Sequence, residues 1–154
     1  MMNNNAVLYS LRHSLPLTGE QMSTIFELGG HTVSAREVEA LMERDDREGA
    51  VRCSDVLLID FLDGFILQRR GPRTSGAAPA PPPALSNNVL LKKLRIALNL
   101  HEADMLAILA EGGQPLTKRE LTPLFRKPDH KHYRACDDAL LEAFFKGLRS
   151  RRAS

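Results

Sequence analysis

No apolar run in this 154-residue chain approaches the ~20 residues of a membrane-spanning helix, so no membrane association is expected. The opening Met1-Met2-Asn3-Asn4-Asn5 has neither the basic nor the apolar segment of a secretory signal, and a cytoplasmic protein is expected. Cysteine is scarce. Cys53 and Cys136 are the only two, which without such a signal points to free thiols in a reducing compartment. Strand-like alternation never runs beyond a few residues, which leaves an all-α fold. Familiar chemical motifs are missing as well. There is no phosphate-binding glycine loop, no nucleophile elbow and no His-Glu-x-x-His segment. With 43% apolar and 26% charged residues, the chain has the composition of an ordinary globular protein.

What the chain does have is one sequence written twice. Subtracting 83 from the later numbers places Leu94-Arg95 on Leu11-Arg12, Gly112-Gly113 on Gly29-Gly30, Cys136 on Cys53 and Gly147 on Gly64. A register kept without a gap means two copies of one folding unit. The expected division is a first helical repeat over 1–70, a linker over 71–86 and a second repeat over 87–154. Each repeat is near the lower size limit for folding alone, so the two are expected to support each other. The linker GPRTSGAAPAPPPALS reads as an extended, partly polyproline-II spacer. Its Pro79–Pro83 stretch lacks the basic flank of an SH3 ligand.

The net charge of +2 conceals a division. Residues 1–70 carry seven Lys/Arg against eleven Asp/Glu, whereas residues 87–154 carry thirteen against eight. An acidic repeat and a basic repeat can attract each other within or between chains. The basic one also suits an acidic partner, nucleic acid included.

Each repeat reads as four short helices. Asn4 or Asn5, and Asn87 or Asn88, stand where a cap opens helix 1. Thr18 with Gln21 forms a capping box for helix 2, and Gly29-Gly30 stops that helix. Ser34 with Glu37, and Thr117 with Glu120, are boxes for helix 3, while Ser54 and Asp137 cap helix 4. Pro123 falls inside helix 3 of the second repeat, so that helix is either kinked or begins again at Thr122-Pro123.

Several residues invite a functional role. Arg12 and Arg95 flank the apolar face of helix 1 and call for a carboxylate, with Glu37/Glu120, Asp46/Asp129 and Asp55/Asp138 as shared candidates. Gly64 and Gly147 each cost helix 4 roughly 1 kcal/mol relative to alanine. They point to a close backbone approach, with helix 4 crossing its counterpart from the other repeat. Cys53 and Cys136 precede the caps of helix 4, as buried hydrophobes or as thiols activated by the helix terminus.

Only the second repeat has a cluster of ligand-like residues. His130, His132 and Cys136 carry zinc-donor chemistry, although their spacing matches no specific zinc pattern and the first repeat has Arg47 and Gly49 in place of the histidines. The same region is basic. Lys118, Arg119, Arg126, Lys127, His130, Lys131 and His132 are the candidate contacts for a partner or for nucleic acid, with Tyr133 available to stack on a base. A helix-turn-helix reading is opposed in the first repeat by Glu37, Glu39, Glu43, Asp45 and Asp46, and by a long Gly29–Val33 turn.

The Asn-Asn openings, the segments NNVLLKKLRIALNL and KPDHKHYRACDD, and the Cys-x-Asp-x-Leu-Leu-x-x-Phe-x-x-Gly ending carry a resemblance. They are similar to the YehS-like bacterial proteins, domain-of-unknown-function family 1456, whose members carry the unit in tandem. The resemblance implies a small cytoplasmic bacterial protein and brings no activity, ligand or catalytic residue with it. The reading is therefore two tandem four-helix repeats forming a non-enzymatic binding or adaptor module. It requires no cofactor, and its partner is a protein or a second copy of the chain. The alternatives are nucleic-acid binding by the basic repeat and a metal-dependent or thiol enzyme using His130, His132 and Cys136.

Overall fold

The structure, a computed structural model, describes residues 3–42, 51–71 and 84–153, the side chains of 152 and 153 excepted. Eight α-helices and no strand occur among the described residues. In the first half these are α1 Asn4–Ser14, α2 Gly19–Leu28, α3 Ala35–Met42 and α4 Asp55–Arg70. In the second they are α5 Asn87–Ala97, α6 Glu102–Glu111, α7 Lys118–Leu121 and α8 Asp138–Ala153, with a 3-10 turn over Thr122–Phe125. Residues 72–83 of the linker, including the Pro79–Pro83 stretch, lie outside the described residues, as do Glu43, Asp45, Asp46, Arg47 and Gly49.

Local chemistry places the helix ends. Thr18 and Gln21 exchange both hydrogen bonds of a capping box, and so do Ser34 with Glu37 and Thr117 with Glu120. Ser54 Oγ and Asp137 Oδ1 accept the N–H of the third residue of α4 and α8, Leu57 and Leu140. The paired glycines after α2 divide the labour. Gly30 has φ +94, and its N–H and that of His31 return to Glu27 O and Phe26 O, which closes a Schellman motif. Gly113 does the same with φ +95.

The first glycine of each pair serves packing instead. A Cβ on Gly29 would stand 2.0 Å from Asp60 O, and one on Gly64 2.2 Å from Ile25 O. On Gly112 and Gly147 it would stand 1.9 Å from Ala143 O and 1.9 Å from Ile108 O. Two glycines thus clear a backbone crossing of α2 with α4, and two more a crossing of α6 with α8. This corrects the expected crossing of helix 4 with its counterpart. The close approach is made inside each repeat, where the sharp α2 stop brings the helix end directly against the α4 backbone.

The Asn-Asn openings do not cap helix 1 as expected, because their side chains reach across the fold instead. Asn3 and Ser86 are the caps of α1 and α5. Asn5, buried, donates from Nδ2 to Leu41 O (2.9 Å) and Val51 O (2.7 Å) and accepts from Cys53 N–H at 2.9 Å. Asn88 repeats this with Leu124 O, Arg134 O and Cys136 N–H. Asn4 and Asn87 reach past them to Asp55 and Asp138. Helix 1 thereby holds both ends of the segment between helices 3 and 4 through groups that burial would otherwise leave unpaired.

The halves meet through α1 against α8 and α4 against α5. These two contacts exchange under the 83-residue offset, as expected for an approximate two-fold relation. One apolar cluster spans both halves, with Leu8, Phe26 and Phe61 from the first and Leu91, Phe144 and Phe145 from the second.

Candidate functional site

The second repeat departs from the first where Pro123 stands. α3 runs from Ala35 to Met42, whereas α7 ends at Leu121 and gives way to the 3-10 turn. Proline has no N–H to continue the α ladder, and a 3-10 turn accommodates it near its start. Pro123 O then receives Arg126 N–H (3.4 Å) and Arg134 N–H (3.1 Å). Two further turns close the loop, from His130 N–H to Lys127 O and from Tyr133 N–H to His130 O. Asn88 secures the loop from inside through Arg134 O.

These turns fold residues 126–133 back over α7 and form a groove of about 560 Å³. Lys118 and Arg119 from α7, Arg126 at the end of the 3-10 turn and His132 from the loop line it. Thr122, Pro123 and Tyr133 complete the lining, which contains no carboxylate. Four of the seven candidate residues are thus brought together. Lys127, His130 and Lys131 are exposed on the same loop but do not line the groove. Glu120, on the same short helix, has its carboxyl held below the usual range, first by the Thr117 backbone N–H, then by the Thr117 side chain.

His130, His132 and Cys136 do not converge. The two rings are 5.7 Å apart, and Nδ1 of His130 accepts the His132 N–H. Among the described residues no group of three His, Cys, Asp or Glu stands where it could hold a metal ion. Cys136 is buried behind Asn88, and burial, with Asp137 adding to it, pushes its thiol up to about 12. Burial, then Asp55, does the same to Cys53. Both are neutral thiols at physiological pH, packed into the core instead of activated at a helix terminus.

The two arginines find partners outside the expected set. Arg12 pairs with Glu39 at 2.8 Å. Arg95 instead donates from Nε to Leu100 O and lies over the Phe125 ring, 4.7 Å from its centroid. The second repeat has Thr122 where the first has Glu39, so the carboxylate is not available to Arg95. Asp55 and Asp138 are occupied by Asn4 and Asn87. Part of the charge division is used within the chain, where Lys93 of the basic half pairs with Asp63 of the acidic half.

The family model described as a protein of unknown function (DUF1456) matches residues 4–71 and again residues 87–152. The chain belongs to the DUF1456 family. The uncharacterized protein YehS of Escherichia coli (strain K12) is 38% identical over 150 residues, which cover 97% of this chain and 96% of that one. No solved structure matches. The repeat read from the residues and the tandem DUF1456 match coincide, and neither brings an assigned activity.

Proposed function

We propose that the chain is a non-enzymatic binding module whose working face is the basic groove of the second repeat, and that this groove takes the phosphate backbone of a single-stranded nucleic acid. The observation that carries the reading is the lining itself, with three permanent cations and a histidine gathered around Tyr133 without a carboxylate. Cations along a channel beside an aromatic ring are the usual means of holding an unpaired strand. α7, four residues long, is too short to serve as a recognition helix in a major groove, which favours a single strand over duplex readout. The neutral, buried Cys136 and the unconverged histidines favour binding over catalysis. A cytoplasmic location belongs to the same reading. Among the described residues, no helix is long and apolar enough to cross a membrane.

Fluorescence anisotropy with a labelled single-stranded oligonucleotide at low salt tests the proposal. Binding should weaken with salt, with a log–log slope of about −0.7 per phosphate contact. Reversing Arg126 and Lys127 to Glu should reduce affinity about tenfold or more. No binding at low salt, or binding indifferent to that reversal, sinks the proposal. Capture of a protein through the acidic half, abolished by salt, would favour the adaptor reading instead.

A further inference from the structure

The two sides of the seam between the halves are built from equivalent positions and filled differently. On the α4–α5 side, Lys93 pairs with Asp63, and Arg70 donates to Asn99 Oδ1 at 2.7 Å. His31 and Asp60 pair on the same half at 2.6 Å. On the α1–α8 side, Ser10 stands for Lys93, Lys146 for Asp63, Gln114 for His31 and Ala143 for Asp60. Both carboxylates are gone, and a lysine replaces one of them.

A cleft of about 400 Å³ opens at these substitutions. Ser10 of α1 faces Lys146 and Arg149 of α8 across it, with Gln114 and the exposed Glu142 also in the lining and Ala143 and Phe145 among its apolar residues. Arg149 is held from across the seam, since its Nη1 donates to Ser14 Oγ at 3.3 Å and that hydroxyl donates to Phe145 O at 3.3 Å. Lys146 makes no ion pair among the described residues. Residues 146 and 149, three apart, share one face of α8. The cleft thus offers two cations, a hydroxyl and one carboxylate, Glu142, which forms no ion pair with Lys146 or Arg149, where the other side of the seam closes on its own carboxylate.

We propose that this cleft binds a small anionic ligand whose carboxylate or phosphate group sits between Ser10 and the Lys146–Arg149 pair, supplying the negative charge that Asp63 supplies on the other side. The volume lies within the range of small-molecule sites. The site shares no residue with the basic groove and stands independently of the nucleic-acid reading.

The test is a pair of ¹H–¹⁵N NMR titrations of the full chain at constant ionic strength, one with inorganic phosphate and one with citrate. Saturable shifts confined to Ser10, Gln114, Lys146 and their neighbours are expected, and whichever anion saturates first identifies the preferred group. Lys146→Gln should weaken that binding at least tenfold. Ser10→Asp is the more telling variant. It places the missing carboxylate opposite Lys146, so it should abolish anion binding and raise the melting temperature while the spectrum keeps its dispersion. Shifts that never saturate, that spread over all basic surfaces, or that survive both variants overturn the proposal.

Discussion

Asn5 and Asn88 make the same three hydrogen bonds, yet the segments they brace lead to different surfaces. In the first repeat Asn5 holds the end of a full α3 that carries Glu37 and Glu39. In the second, Asn88 holds a 3-10 turn and a folded loop that present Lys118, Arg119 and Arg126 around a groove. The internal scaffold is shared, and the outer face of helix 3 is where the repeats diverge. A buried amide with fixed partners tolerates little change, whereas solvated positions can exchange glutamate for arginine at small cost to the fold.

The strongest way to break this comparison is at the glycine crossings. Gly64→Ala and Gly147→Ala each drive a methyl to about 2 Å from a backbone carbonyl, which no rotamer change relieves. The helices must separate, at a cost of about 3 kcal/mol or more, only partly offset by alanine's better helix propensity. Urea unfolding should show both variants severely destabilised and to a similar degree. One neutral variant would mean that the repeats are not built on the same crossing. Asn5→Ala and Asn88→Ala come next. Each leaves two carbonyls and an amide without their partner, for roughly 2–4 kcal/mol. Near-equal losses are expected despite the different loops beyond them.

How much of this was legible in the sequence depended on range. Capping boxes, helix stops and the break at Pro123 are written within a few residues of where they act, and the 83-residue offset is visible without any structure. The Asn-Asn pair was misread because a helix-opening asparagine looks the same whether it caps its own helix or reaches a strand of backbone thirty-six residues away. Gly64 announced a close approach, but the neighbour was misread as the other repeat's helix 4, since nothing local to the glycine points to α2. Arg12 and Arg95 have long side chains that take whichever partner packing brings, and it brought Glu39 to one and Phe125 to the other. The basic groove was found because its residues are close in sequence. The seam cleft was not, because Ser10 and Lys146 meet only once α1 lies on α8.

The seam itself offers a smaller contrast. Asp63→Ala removes the partner of Lys93, a pair only partly shielded from water, and should cost at most about 1 kcal/mol. Lys146→Ala, at the equivalent position, removes no ion pair and should leave stability unchanged within about 0.5 kcal/mol. A double-mutant cycle on Lys93 and Asp63 isolates the pair from the packing of the lysine stem. Equal effects on the two sides would erase the asymmetry on which the cleft rests.

The subtlest contrast lies between the thiols. Cys136 has Arg134 nearby, which lowers its pKa, while Asp137 and Asp138 raise it; for Cys53, only Asp55 adds to burial. Both thiols are nevertheless pushed up to about 12, because burial is the leading cause in each case. A group whose folded pKa is raised above its unfolded value of 9.0 gives its full stabilisation below pH 9 and loses it as pH climbs toward 12. The melting temperature should therefore fall between pH 8 and pH 10.5 more steeply in the wild type than in a Cys53→Ala/Cys136→Ala protein. Neither native thiol should react with a thiol reagent at pH 8 until denaturant is added. Arg134→Ala removes the nearby charge that lowers the Cys136 pKa, so it cannot raise reactivity through charge and tests core burial against cover by the loop. If burial governs, Cys136 stays as unreactive as Cys53; if Cys136 becomes the more reactive thiol, the loop and not the core was shielding it.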